Sequence, residues 1–163
     1  RGVVGRLEPY AILSRTPDLG HGLECGTMRD RKHLDLLFFT AFAFLACHEL
    51  DAVMQAEWRL LPLLNRLDDA QAYFWFVLLH VPLFALLMWS TGSTALRRRF
   101  RAQLGLDAFM VVHLGLHVAL HAHPENTFHS MLSELCIWGA GLAGLAHGLL
   151  LMRGKPPGTS GSR

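Results

Sequence analysis

"AYFWFVLLHVPLFALLMWS", residues 72–90, runs through nineteen positions without a charged side chain. A membrane-spanning α-helix needs about 20 mainly apolar residues, and this stretch meets the requirement. "SMLSELCIWGAGLAGLAHGLLLM" (Ser130 to Met152) meets it as well. Two further segments depend on their polar residues. "LDLLFFTAFAFLAC" (Leu34 to Cys47) reaches spanning length only if its helix continues past His48. "LDAFMVVHLGLHVALHA" (Leu106 to Ala122) reaches it only if its histidines count as membrane residues. Four such segments in 163 residues that are 52% hydrophobic predict an all-α fold, a four-helix transmembrane bundle over residues 34–152.

The basic residues predict an orientation. Arg29, Arg31 and Lys32 precede the first span, "RRRFR" (Arg97 to Arg101) follows the second, and Arg153 and Lys155 follow the fourth. The loops "RLDDAQ" (Arg66 to Gln71) and "HPENTF" (His123 to Phe128) are acidic on balance or lack basic residues. By the positive-inside rule both termini lie in the cytoplasm, as expected of a multi-pass protein of the bacterial inner membrane. Trp58, Tyr73 and Trp75 then sit at the outer interface and Trp89 at the inner one. A net charge of +2 gives no ground for a nucleic-acid partner. The expected partners are the lipid bilayer and an apolar small molecule or lipid.

The ends read differently. Residues 1–33 form a polar N-terminal extension. Residues 1–27, irregular and without apolar period, are expected to be disordered or foreign to the native protein, with Met28 opening the basic run. Residues 153–163, "RGKPPGTSGSR", read as a disordered tail. Cys25, Cys47 and Cys136 form no C-x-x-C, which argues against thiol–disulfide chemistry.

Topology gathers the ionisable residues. The first span ends outside with His48, Glu49 and Asp51; the third ends there with His117, His121 and His123; the fourth begins there with His129 and Glu134; the second carries His80. His113, His117 and His121 are spaced i, i+4, i+8 and form one helix stripe. Ionisable groups within spans face the bundle interior, because exposure to lipid costs several kcal/mol each. The stripe and the His48/Asp51 face are therefore expected to point at each other, with Glu49 directed to another helix. Ala140, Gly144 and Gly148, beside Gly141, form a small-residue stripe for helix packing. His147 reads as an interhelical hydrogen-bond contact.

Imidazoles and carboxylates at a common depth are satisfied together by a metal ion. His48, Asp51, His117 and His121 are the expected ligands of a divalent transition metal, zinc or iron. His113 and His80 are ligands or supporting groups, and Glu49 or Glu134 is the acid–base residue. H-E-x-x-H is absent, so no particular metal is selected. Two other classes stay open. One is a haem- or quinone-linked electron carrier with His80 and either His113 or His117 as the facing pair. The other is a non-enzymatic assembly subunit with a purely structural polar network.

His48 and Asp51 ending the first helix, Trp58 and Pro62 after it, and His113 and His117 on the third resemble an uncharacterised group of bacterial four-helix membrane proteins named for an H-x-x-E-E motif. Here the first acid is Asp51 and the second position is Ala52. "HELDA" (His48 to Ala52) with Glu57-Trp58 resembles a second family of unknown function equally well. Both resemblances imply the four-helix architecture and a shared polar site over roughly residues 34–150; neither implies a reaction.

Overall fold

The computed structural model describes residues 20–154, with side chains from residue 31 onward. Four helices account for most of it: α1 (Gly20–Met54), α2 (Asp69–Thr91), α3 (Leu96–Ala119) and α4 (Met131–Arg153). No strand occurs among the described residues. All four helices are long and apolar enough to cross a membrane. The first continues past His48 to Met54, and the third keeps His113 and His117 within the helix to Ala119 and leaves His121 in the turn beyond it. The helix of α1 starts at Gly20, ahead of the basic run, so the end of the expected extension is helical. The rest of that extension, residues 1–19, and the tail at 155–163 lie outside the described residues.

Each boundary has a local cause. Asp68 caps α2 by accepting from the Gln71 amide at 3.0 Å, and Ser130 caps α4 by accepting from the Ser133 amide at 3.0 Å. Between α1 and α2 the chain makes two 3₁₀ turns, Glu57–Arg59 and Leu64–Arg66. Asp69 holds this connection to α2. Its carboxylate accepts from the Trp58 indole at 3.3 Å and pairs with the Arg59 guanidinium.

Packing centres on α4, whose small residues let α1 and α3 approach closely. A Cβ at Gly139 would fall 2.7 Å from the Phe44 ring, and one at Gly141 would fall 2.5 Å from Leu114. Gly144 and Gly148 meet Met110 and Asp107 in the same way. The stripe expected from the sequence is thus a packing face. Phe38, Ala41, Leu45, Leu106, Met110 and Ala140 form a dry core at mid-bundle. Ala52, Trp58, Ala72, Phe76, Phe128 and Ile137 form a second core nearer the α1–α2 connection. In contrast, α2 stands off: 11% of its span is buried against 39% for α4. Large apolar side chains cover the outside, among them Leu79, Val81, Leu86 and Trp89 on α2. An apolar exterior around spanning helices is the pattern of a multi-pass membrane protein.

Candidate metal centre

The last turns of α1 distribute three polar side chains to three neighbours. Successive residues of a helix are rotated by about 100°. His48 faces α3, where its Nε2 lies 2.7 Å from His113 Nε2. Glu49, one residue on, faces α2, and its carboxylate lies 2.8 Å from His80 Nε2. Asp51, rotated about 60° the other way from His48, faces α4 and accepts from the Ser133 hydroxyl at 2.6 Å. The expectation that Glu49 reaches another helix matches this geometry.

His113 and His117 stand one turn apart on α3, with Nε2 atoms 3.2 Å from each other. Their rings and that of His48 meet edge to face, with centroids 4.7–4.9 Å apart. Phe128 closes the group from the α3–α4 connection, 5.5 Å from the His48 ring and 4.7 Å from that of His117.

A fourth donor comes from the chain beyond α1. Ala56 adopts the left-handed conformation, φ 54° and ψ 47°. That ends the helix and turns Glu57 back toward His48. The Glu57 carboxylate lies 3.6 Å from His48 Nε2, 3.7 Å from His117 Nε2 and 3.9 Å from His113 Nε2. Glu57 is buried. Burial alone would raise its pKa. The nearby His117 and His48 imidazoles, with the charge of His113 and His48 when protonated, outweigh burial and hold the carboxyl well below the ordinary range.

One donor atom from each of His48, Glu57, His113 and His117 lies within 4.8 Å of the other three. This set can hold a metal ion. With metal–nitrogen bonds of about 2.0–2.1 Å, tetrahedral ligand atoms are separated by about 3.3 Å, and the donor separations, from 2.7 Å up to at most 4.8 Å, span that value. Three imidazole nitrogens and one carboxylate oxygen suit zinc or iron. The other ring nitrogen of His48 is buried without a hydrogen-bond partner. Packing by Phe128 and the two histidines orients this ring.

The remaining candidates lie around the cluster or apart from it. Asp51 and His121, expected as ligands, are not brought to it. Asp51 is engaged with Ser133 and Gln55, and the His121 ring sits 5.6 Å from that of His129. Their separation has two causes. The i, i+3 step from His48 turns Asp51 by about 60°, enough to reach α4, whereas His121 lies beyond the end of α3 at Ala119, in the turn that follows. Glu134 accepts from the Trp138 indole at 2.9 Å and borders a cleft with His117 and His121. His80 uses both ring nitrogens, the second donating to the Phe76 carbonyl at 2.6 Å, and its side chain faces Glu49. Glu57 was missed as a donor. Its only signal was its place beside Trp58 in the "HELDA…EW" pattern.

A cavity of ≈ 550 Å³ borders the cluster between α2, α3 and the α1–α2 connection. Glu57, His113 and His117 open onto it, as do Glu49 and His80, and its other walls are mainly apolar. Polar groups converging at one side of an apolar cavity are the usual form of a small-molecule site.

Fold and cluster together define a class: a four-helix, multi-pass membrane protein with a buried His/Glu group able to hold a metal ion. Within it, residues 34–154 match the model of a family of unknown function (DUF6713), and the chain belongs to that family. The match agrees with the expectation of an uncharacterised family and leaves the H-x-x-E-E likeness a matter of short motifs. No curated protein and no solved structure matches the chain.

Proposed function

We propose that the protein binds a divalent transition metal, zinc or iron, through His48, Glu57, His113 and His117, and uses it on a lipid or other apolar substrate. One observation carries the reading: three imidazole nitrogens and a carboxylate from two helices and a loop converge within 4.8 Å. Such convergence is costly for a membrane interior unless one ion satisfies all four. The four donors suffice for a closed tetrahedral zinc site, and catalysis needs a further coordination position. The cavity borders Glu57, His113 and His117, so a substrate in it would lie against the residues that would hold the ion. A metal bound there supplies Lewis acidity or an activated water. Glu49, held by His80 on the cavity wall, is the acid–base group within reach of a substrate in that cavity. Asp51 and His121 act outside the ligand set by fixing α1 on α4 and the end of α3, and Glu134 borders the outer cleft. The Arg/Lys bias supports cytoplasmic termini and a site toward the outer face of the bacterial inner membrane.

Elemental analysis of untagged, detergent-purified protein tests the reading. Close to one zinc or iron per chain is expected, and a chain free of metal after purification without chelators overturns it. Visible absorption from haem would move the reading to electron transfer through His80, His113 or His117.

A further inference from the structure

The cavity beside the cluster does not end at Glu49. A second cleft of ≈ 310 Å³ continues along the seam between α2 and α3 and shares Glu49, Leu83 and Phe109 with the first. It runs past Leu86 and Leu87 to Ser90 on α2, and past Leu106 and Gly105 to Ala102 on α3. The seam persists because α2 is the least buried helix and leaves the α3 surface uncovered. Leu83, Leu86 and Phe109 are exposed, so the seam is open on its lipid side.

Polarity along the seam is one-sided. Glu49, Glu57, His80, His113 and His117 lie at the upper end, and Ser90 is the one polar side chain lining the lower cleft below Glu49. From His117 to Gly105 the seam runs about 18 Å, at 1.5 Å per residue. One leaflet of hydrocarbon is about 15 Å deep, half of a core of about 30 Å. The lower cleft, ≈ 310 Å³ and walled almost wholly by apolar side chains, has the size and lining for a single hydrocarbon chain.

Gly105 keeps the cleft clear. A Cβ built there meets nothing within 4 Å, although the residue lines the cleft. Charge selects the head group, and here the argument rests on the metal reading above. A divalent ion with three neutral imidazoles and one carboxylate retains one uncompensated positive charge. Glu49 does not cancel it, because His80 donates from Nδ1 to the Phe76 carbonyl and shares one proton with Glu49 through Nε2, which makes that pair neutral overall. A second carboxylate therefore has to come from the ligand.

We infer that the α2–α3 seam binds a single-chain, long-chain carboxylate amphiphile entering from the bilayer, its head at the His/Glu cluster and its chain beside Gly105.

The test measures equilibrium binding of radiolabelled hexadecanoate, octanoate and hexadecanol to the full-length protein in lipid nanodiscs, corrected for empty discs. Wild-type protein should bind hexadecanoate saturably. Gly105→Phe fills the lower cleft from an exposed helix position, where it does not disturb folding. It should weaken hexadecanoate roughly tenfold or more, since each buried methylene contributes about fourfold in affinity, and leave octanoate unchanged. Gly115→Phe is the matched control: its Cβ also meets nothing within 4 Å, but it lines neither cavity. It should bind hexadecanoate as the wild type does. Equal binding of hexadecanol overturns the carboxylate assignment. Unchanged hexadecanoate binding by Gly105→Phe, or no saturable binding by the wild type, overturns the chain site. Metal content measured on the same samples separates the two readings: metal without chain binding sinks this inference alone, and chain binding without metal sinks the metal reading and the head-group assignment.

Discussion

At one end of the bundle His48, Glu57, His113 and His117 turn four donor atoms toward a common point beside a cavity. Toward the other end, against the apolar core of Phe38, Leu106 and Met110, Asp107 and His147 meet as a pair. His147 donates from Nδ1 to the Asp107 carboxylate at 2.7 Å, and both are buried. Gly148 lies against Asp107, where a Cβ would come within 3.4 Å of the carboxylate oxygen. The pair is enclosed and fastens α3 to α4. The pair is one donor to one acceptor, with Asp107 Oδ1 and His147 Nε2 left buried without partners; the cluster is built differently. Three imidazoles share one carboxylate, and an opening lies alongside. Histidine in a membrane helix therefore has two meanings here. A single facing partner makes a fastener, whereas several that share one focus make a group able to hold an ion.

The largest expected effect separates these meanings outright. His48→Ala, His113→Ala and His117→Ala should each abolish stoichiometric metal, while His147→Ala and His121→Ala keep it. Loss of a ligand held at a hundred times its dissociation constant removes about 2.7 kcal/mol, or roughly 5–10 °C at about 2–4 °C per kcal/mol. Metal per chain and melting temperature measured across the five variants decide the matter. Retained metal in the His48 and His117 variants would erase the contrast.

A smaller contrast lies within the fastener. His147→Ala leaves the Asp107 carboxylate buried without its donor, which costs about 3 kcal/mol for a broken buried pair. Asp107→Asn keeps an acceptor for His147 and should cost about 1 kcal/mol, that of a weakened interhelical hydrogen bond. Equal losses in thermal or denaturant unfolding would show that the pair is not a charged one.

Acid titration sharpens the same comparison. The Glu57 carboxyl is held below the ordinary carboxylate range. A group with a depressed folded-state pKa stabilises the fold above its unfolded value and loses that contribution only as pH falls through the folded one. Glu57 therefore stays charged as pH falls through the ordinary carboxylate range, so its own protonation does not set the point of acid release. Glu57→Gln should weaken retention roughly tenfold or more, the loss known even for outer-sphere partners, without moving the acid midpoint. A midpoint that moves with Glu57→Gln would assign the release to the carboxylate.

The smallest effect concerns how the fourth donor is delivered. Ala56 holds a conformation that costs a residue with a Cβ about 1–2 kcal/mol and glycine almost nothing. Ala56→Gly should be neutral or stabilising by up to about 1 kcal/mol, offset by the larger chain entropy glycine loses on folding. Metal content should be unchanged. A clear destabilisation in the unfolding curve would show that the turn before Glu57 depends on the alanine methyl.

The spans were legible because hydropathy over about 20 residues needs no tertiary information. His48, His113 and His117 were legible because helical period places them on facing stripes. Glu57 was not: a single 3₁₀ turn after a left-handed alanine has no period to read. Asp51 shares a face with His48 in the sequence pattern, yet a rotation of about 60° directs it to α4, and the stripe through His121 breaks because α3 ends at Ala119 and leaves His121 in a turn beside His129. The partner of His147 was hidden by distance along the chain, 40 residues from Asp107.

The turn from His48 to Asp51 also bears on how this protein can vary over generations. Because His48, Glu49 and Asp51 reach α3, α2 and α4 separately, their meaning depends on reading frame around the helix axis. Replacing one alters one connection. Inserting or deleting a single residue just before His48 rotates all three by about 100° and disconnects them together. This turn can diverge by substitution but not by change of length, and natural gaps should accumulate in the connections between helices instead.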